Sequence, residues 1–161
     1  METLRLTNSM EESIMLNNQQ ILLDMLSGDE KRILHASHTV IHSGITNRKL
    51  LMELHPHLSD IKEKTRSLKY GGSLMPNDRF VEKAIRMIDE SVGNKCLCEY
   101  LFDFIGQNGK SMVRYGFVLL EENMEGYIDR SIIECSSCHQ RYEVEEEYTG
   151  WHATITRRKK I

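Results

Sequence analysis

Cys96-Leu97-Cys98 and Cys135-Ser136-Ser137-Cys138 hold all four cysteines of the chain, in two close pairs. Four soft thiolates carried on two short backbone knuckles are what a tetrahedral ion needs, and zinc is the ion this spacing suits best. A zinc–sulfur bond of about 2.3 Å requires sulfurs about 3.8 Å apart. Residues i and i+2 of a strand project to one side, so Cys96 and Cys98 are expected to share an ion where a strand bends. Cys135-x-x-Cys138 fits a tight turn, and the polar Ser136, Ser137, His139 and Gln140 suit an exposed knuckle. One structural Zn2+ per chain, on Cys96, Cys98, Cys135 and Cys138, is the expectation.

Four thiolates close the coordination sphere and leave an electron-rich ion that is a poor Lewis acid. A catalytic zinc instead keeps one position for water. The competing arrangement has three protein ligands, with His139 drawn in beside Cys138 and Glu134 as a base. Tyr70-Gly71-Gly72-Ser73 lacks the lysine and the spacing of a phosphate-binding loop, and no nucleophile elbow occurs. These features lean against an enzyme.

Two further groups could carry chemistry. His35, His38 and His42 are spaced i, i+3, i+7, so they form one helical stripe. At about 100° per residue it lies opposite Ile33, Leu34, Val40 and Ile41. A solvated polar face is the plain reading; a secondary metal site or a pH-sensitive contact is the functional one. Arg157-Arg158-Lys159-Lys160 places four positive charges in a row, which could meet phosphates in a salt-sensitive way. A solvated segment balancing Glu143, Glu145, Glu146 and Glu147 is favoured over a nucleic-acid contact.

The elements that must position these residues differ between the two halves. Up to residue 93 the period is helical. Met10, Ile14, Ile21 and Met25 share one face. Ser27 with Glu30 reads as a capping box, and Gly44 closes the helix that follows. Thr46 caps a short helix carrying Leu50, Leu51 and Leu54. Pro56 marks a break before another helix, and Gly71-Gly72 is a loop. Phe80, Val81, Ala84, Ile85, Ile88 and Val92 make the strongest amphipathic pattern. From residue 95 the period becomes two, with Val113, Tyr115, Phe117 and Leu119 on one side after a turn at Gln107-Asn108-Gly109. A two-residue turn at Thr149-Gly150 would pair Val144 with Ile155 and Tyr142 with Arg157, setting apolar side chains opposite one another.

The expected fold class is therefore α+β. Residues 1–93 form a helical lobe of four to five helices, and residues 94–161 an antiparallel β lobe with a zinc-ribbon-like four-cysteine staple. The two halves could also share one compact domain. Knuckle, β excursion, second knuckle and closing strand together resemble a zinc ribbon. In cysteine pattern alone, CxC followed by CxxC is similar to the zinc centre of the redox-regulated heat-shock holdase chaperones. That resemblance covers Cys96, Cys98, Cys135 and Cys138, and implies a switch in which oxidation to disulfides releases zinc and unmasks a client surface.

A hydrophobic fraction of 40%, a charged fraction of 28% and a net charge of −3 are those of a globular protein without a nucleic-acid coat. Apolar runs such as Ile21-Leu22-Leu23 are too short to span a bilayer, and Met1-Glu2-Thr3-Leu4-Arg5 does not read as a secretory signal. A cytoplasmic, non-enzymatic interaction or regulatory module with a protein partner is expected. A bacterial immunity or antitoxin-type protein that neutralises a partner fits this character. The alternatives are a thiol redox switch or chaperone, and then a nucleic-acid-associated zinc ribbon.

Overall fold

The structure, a computed structural model, describes residues 17–71, 76–104, 109–149 and 154–161. Met10, Ile14, Gly72, Gln107, Asn108 and Gly150 lie outside the described residues. The chain divides into two units, Met1–Ile41 with Lys49–Gly93 and His42–Arg48 with Asn94–Ile161. The short stretch His42–Arg48 thus joins the second unit. No described helix is long and apolar enough to cross a membrane.

The first unit is helical. Its described helices are α1 (residues 17–25), α2 (Glu30–Ser43, whose last residues belong to the second unit), α3 (Arg48–Leu54), α4 (Leu58–Thr65) and α5 (Asp78–Glu90). Each buries the side its apolar spacing selects: Ile21 and Met25 on α1, Ile33, Ala36 and Val40 on α2, Leu50, Leu51 and Leu54 on α3. On α5 the buried residues are Val81, Ala84, Met87 and Ile88, and Val92 falls beyond the helix, 59% exposed. Ile33, Tyr70 and Val81 form a buried cluster flanked by Leu34, Leu68 and Ile85. Each such aliphatic side chain removed from water stabilises the fold by about 1.5–3 kcal/mol.

Local signals set the helix ends differently from the sequence reading. Asp29, not Ser27, caps α2: its Oδ1 accepts the Arg32 N–H at 2.9 Å. Ser27 donates instead to the Asp24 carbonyl at 2.7 Å and so finishes the preceding helix. Gly44 follows the last residue of α2, as expected. Pro56 sits inside a single 3-10 turn, His55–His57, which carries the chain directly from α3 into α4.

The second unit contains α6 (Cys98–Phe104), α7 (Gly109–Met112), a 3-10 turn (Val113–Tyr115) and strands β1 (Phe117–Glu125), β2 (Ile128–Cys135), β3 (Arg141–Tyr148) and β4 (Thr154–Lys160). The strands form one antiparallel meander in the order β1-β2-β3-β4. Helices in the first half and this sheet in the second make the α+β class expected from the change of period.

Three expectations for this unit are corrected. Residues 112–116 are not strand: Val113 is 48% exposed while Tyr115 is buried, so the two cannot share a face. Gly116 ends that helical stretch at φ +90°, where a Cβ would lie 2.9 Å from Thr46 Cγ2. Only glycine adopts that backbone at little cost and leaves that space. The first cysteine pair is not on a strand either, because Cys98 opens α6 with Leu97 and Leu101 buried four residues apart. Two helices therefore precede β1 between the cysteine pairs, which departs from a plain zinc-ribbon excursion.

The third correction concerns register. β3 and β4 pair Tyr148 with Thr154, Val144 with Arg158 and Tyr142 with Lys160. Ile155 thus faces Glu147 rather than Val144. Charge decides this: Glu145 lies opposite Arg157 and Glu143 opposite Lys159. Arg157 reaches Glu145 at 2.7 Å and Glu147 at 2.8 Å, and Arg130 on β2 reaches Glu145 at 2.9 Å. Opposite charges across a strand pair outweigh the gain from matching one isoleucine with one valine.

Candidate metal centre

Both cysteine knuckles lie within the second unit. The first is Cys96-Leu97-Cys98, where buried Leu97 pins the entry to α6 and the Cys98 backbone N–H donates to Cys96 Sγ. The second closes the connection between β2 and β3. Cys135 N–H donates to the Gln140 carbonyl at 2.9 Å, and His139 N–H donates to the Cys135 carbonyl at 2.9 Å. His139 takes φ +58° to complete that turn. Backbone N–H groups of Ser137 and Cys138 point at Cys135 Sγ. The knuckle is also anchored to the start of β1, since Ser136 donates to the Gly116 carbonyl through its N–H at 3.0 Å and its hydroxyl at 2.6 Å.

These two turns bring Cys96, Cys98, Cys135 and Cys138 together with all four sulfurs within 4.8 Å of one another. Cys96 Sγ is 3.6 Å from Cys135 Sγ, and Cys98 Sγ is 3.6 Å from Cys138 Sγ. All four are free cysteines. Such spacing is that of ligands around one tetrahedral ion, and the quartet could hold a metal ion. Burial grades across it: Cys135 and Cys98 are 0% and 1% exposed, Cys96 is half-buried and Cys138 is exposed.

Electrostatics follow from crowding four thiols in partly buried space. A hydrogen bond from Cys98 holds Cys135 down at about 5. Cys98 is correspondingly pushed far up, first because its thiol proton is shared with Cys135 and then by burial. Burial pushes Cys96 up to about 11. An incoming cation would stabilise the thiolates and displace their protons.

Spacing alone does not single out Tyr142. Its hydroxyl lies 3.1 Å from Cys98 Sγ, and its ring meets Phe117 edge-on at 6.0 Å. Burial, followed by the Cys98 contact, raises its hydroxyl well above the usual tyrosine value. A neutral phenol is a donor, and Cys98 Sγ, once a bound cation has displaced its proton, would be the acceptor beside it. The only signal in the sequence is a tyrosine four residues after Cys138 on a strand leaving the knuckle.

His139 and Glu134 occupy different roles from the three-ligand arrangement. His139 Nδ1 lies 3.0 Å from Glu134 Oε1, and Arg141 Nε donates to Glu134 Oε2 at 2.8 Å. Arg141 first, then His139, hold the Glu134 carboxyl below its ordinary value. Among the described residues the quartet is the one group of three or more His, Cys, Asp or Glu whose ligand atoms converge in this way. Within the first unit His35 is exposed and the His38 ring lies 4.4 Å from that of Phe80. Within the second, the His42 ring stacks on Tyr115 at 4.6 Å. Of the basic run, Arg157 engages Glu145 and Glu147, and Lys160 engages Glu99.

A cleft of about 440 Å³ opens onto the centre. Lys95, Cys96, Cys98, Cys138, Tyr142 and Lys160 line it. No protein-family model, no curated protein and no solved structure matches the chain.

Proposed function

We propose that the quartet binds one Zn2+ per chain and that the protein is a non-enzymatic module, stapled by that ion, which presents a surface to a protein partner. The observation that carries this reading is the convergence of four sulfurs, within 4.8 Å of one another, from segments 36 residues apart. Zinc fits because it accepts four thiolates in a tetrahedron, and four such ligands leave no position for a substrate or water. Reduced, metal-binding thiols suit the cytoplasm. The specific form we put forward is an immunity or antitoxin-type protein that neutralises a basic partner. A net charge of −3 and a centre closed by four thiolates support it. The engagement of Arg157 and Lys160 by glutamates weighs against the nucleic-acid reading.

Zinc-loaded protein on a support should retain a basic protein from lysate of its native source, and protein stripped by a chelator should not. Retention of nucleic acid instead, lost between low and moderate salt, would replace this reading. A second reading, a thiol redox switch, takes the two neighbouring sulfur pairs, Cys96 with Cys135 and Cys98 with Cys138, as those that oxidation would join once the ion has left. Mild peroxide ejects zinc from such a switch and leaves a purely structural centre loaded.

A further inference from the structure

The cleft beside the quartet makes its four sulfurs unequal. Cys138 is exposed and lines the cleft, whereas Cys135 is fully buried and does not. Cys98 lines it but is 1% exposed, and Cys96 is half-buried. With a volume of about 440 Å³ the cleft is large enough for a small molecule and too small for a folded partner. Backbone donors also differ: Ser137 and Cys138 N–H groups point at Cys135 Sγ, which withdraws electron density from that sulfur.

We propose that Cys138 is a selective modification site of the metal-loaded protein, open to small electrophiles of the alkylating class through this cleft. The thiolate, not the thiol, is the attacking species, and a bound metal keeps the sulfur deprotonated. In the step itself a lone pair of Cys138 Sγ forms a new sulfur–carbon bond. The carbon–halogen bond of the reagent breaks, and halide leaves with the bonding pair. No proton is exchanged and nothing is oxidised. The product is a neutral thioether, a poorer ligand than the thiolate it replaces, so the centre loses one anionic donor and its hold on the ion weakens. A staple that can be loosened at one exposed corner is one that small reactive molecules can regulate.

This inference rests on the zinc reading, and one experiment separates them. Zinc content is measured on the purified full chain, and iodoacetamide is then added below one equivalent, with peptide mass mapping and zinc release followed over time. The expected result is Cys138 labelled faster than Cys135 by at least about tenfold, with zinc released in step with that single label. Zinc bound at the start but label spread evenly over Cys96, Cys98, Cys135 and Cys138 would overturn this inference alone. Protein that carries no zinc at the start would overturn the parent reading as well.

Discussion

Cys98 Sγ stands 3.6 Å from Cys138 Sγ. A disulfide would bring these atoms to about 2.05 Å, and the edge of a tetrahedron around zinc is about 3.8 Å. The first residue of α6 and the turn between β2 and β3 thus meet at a distance that suits an ion between them.

Tyr142→Phe keeps the ring against Phe117 and removes the hydroxyl beside Cys98. Loss of a hydrogen bond to a metal ligand weakens binding by about 10–100-fold. Competition against a chromophoric chelator should show at least about the lower end of that range, with secondary structure unchanged. Unaltered affinity would mean that the hydroxyl serves packing alone.

Metal uptake near neutral pH should expel protons. Burial pushes Cys96 up to about 11, and Cys98 is raised further still, so both carry a proton in the metal-free protein, whereas Cys135 at about 5 does not. Two protons, one each from Cys96 and Cys98, are the minimum released per ion. Calorimetry in two buffers of different ionisation enthalpy counts them. It follows that acidification favours the metal-free form.

Gly116→Ala should destabilise the second unit. At φ +90° the added Cβ meets Thr46 and Ile45, and the left-handed backbone is itself unfavourable for alanine. The two costs together come to about 2 kcal/mol or more. Denaturant midpoints measured on metal-loaded protein would reveal this. Because the Gly116 carbonyl also holds Ser136 at the second knuckle, metal affinity should fall in parallel.

His42 should give stability a pH dependence above that of the carboxylates. Burial first, then the Arg114 charge, lower its value from 6.5. The residue is exposed overall, but Tyr115 covers one face of its ring. A depressed imidazole favours folding in its neutral form, so its contribution is complete above about 6.5 and is lost as pH falls through the folded value. His42→Gln should flatten that part of the stability–pH curve. An unchanged slope would show that the stacked ring titrates normally.

Some of this is legible in the residues, and the reasons are physical. Val81, Ala84 and Ile88 repeat with the helical period over several turns, so α5 can be read directly. The cysteine spacing encodes ligand geometry locally, so the quartet can be read as one group. Leu97 and Leu101 fit a short helix or a strand approach equally well, and burial of both decides for the helix. The turn ending at Gly116 depends on a positive φ that alternation between Val113 and Phe117 conceals. The β3–β4 register rests on Glu145 and Glu143 meeting Arg157 and Lys159, a long-range balance of charge against apolar matching. Tyr142 is hidden because its role is set by the sulfur opposite it and not by its neighbours in sequence.

The most direct test of the account is elemental analysis of the full chain purified without added metal and without chelator. About one zinc per chain is expected, lost together with sheet structure when Cys135 is replaced by serine. A protein that contains no zinc, binds none when it is offered, and keeps four freely titrating thiols and an intact sheet would contradict it.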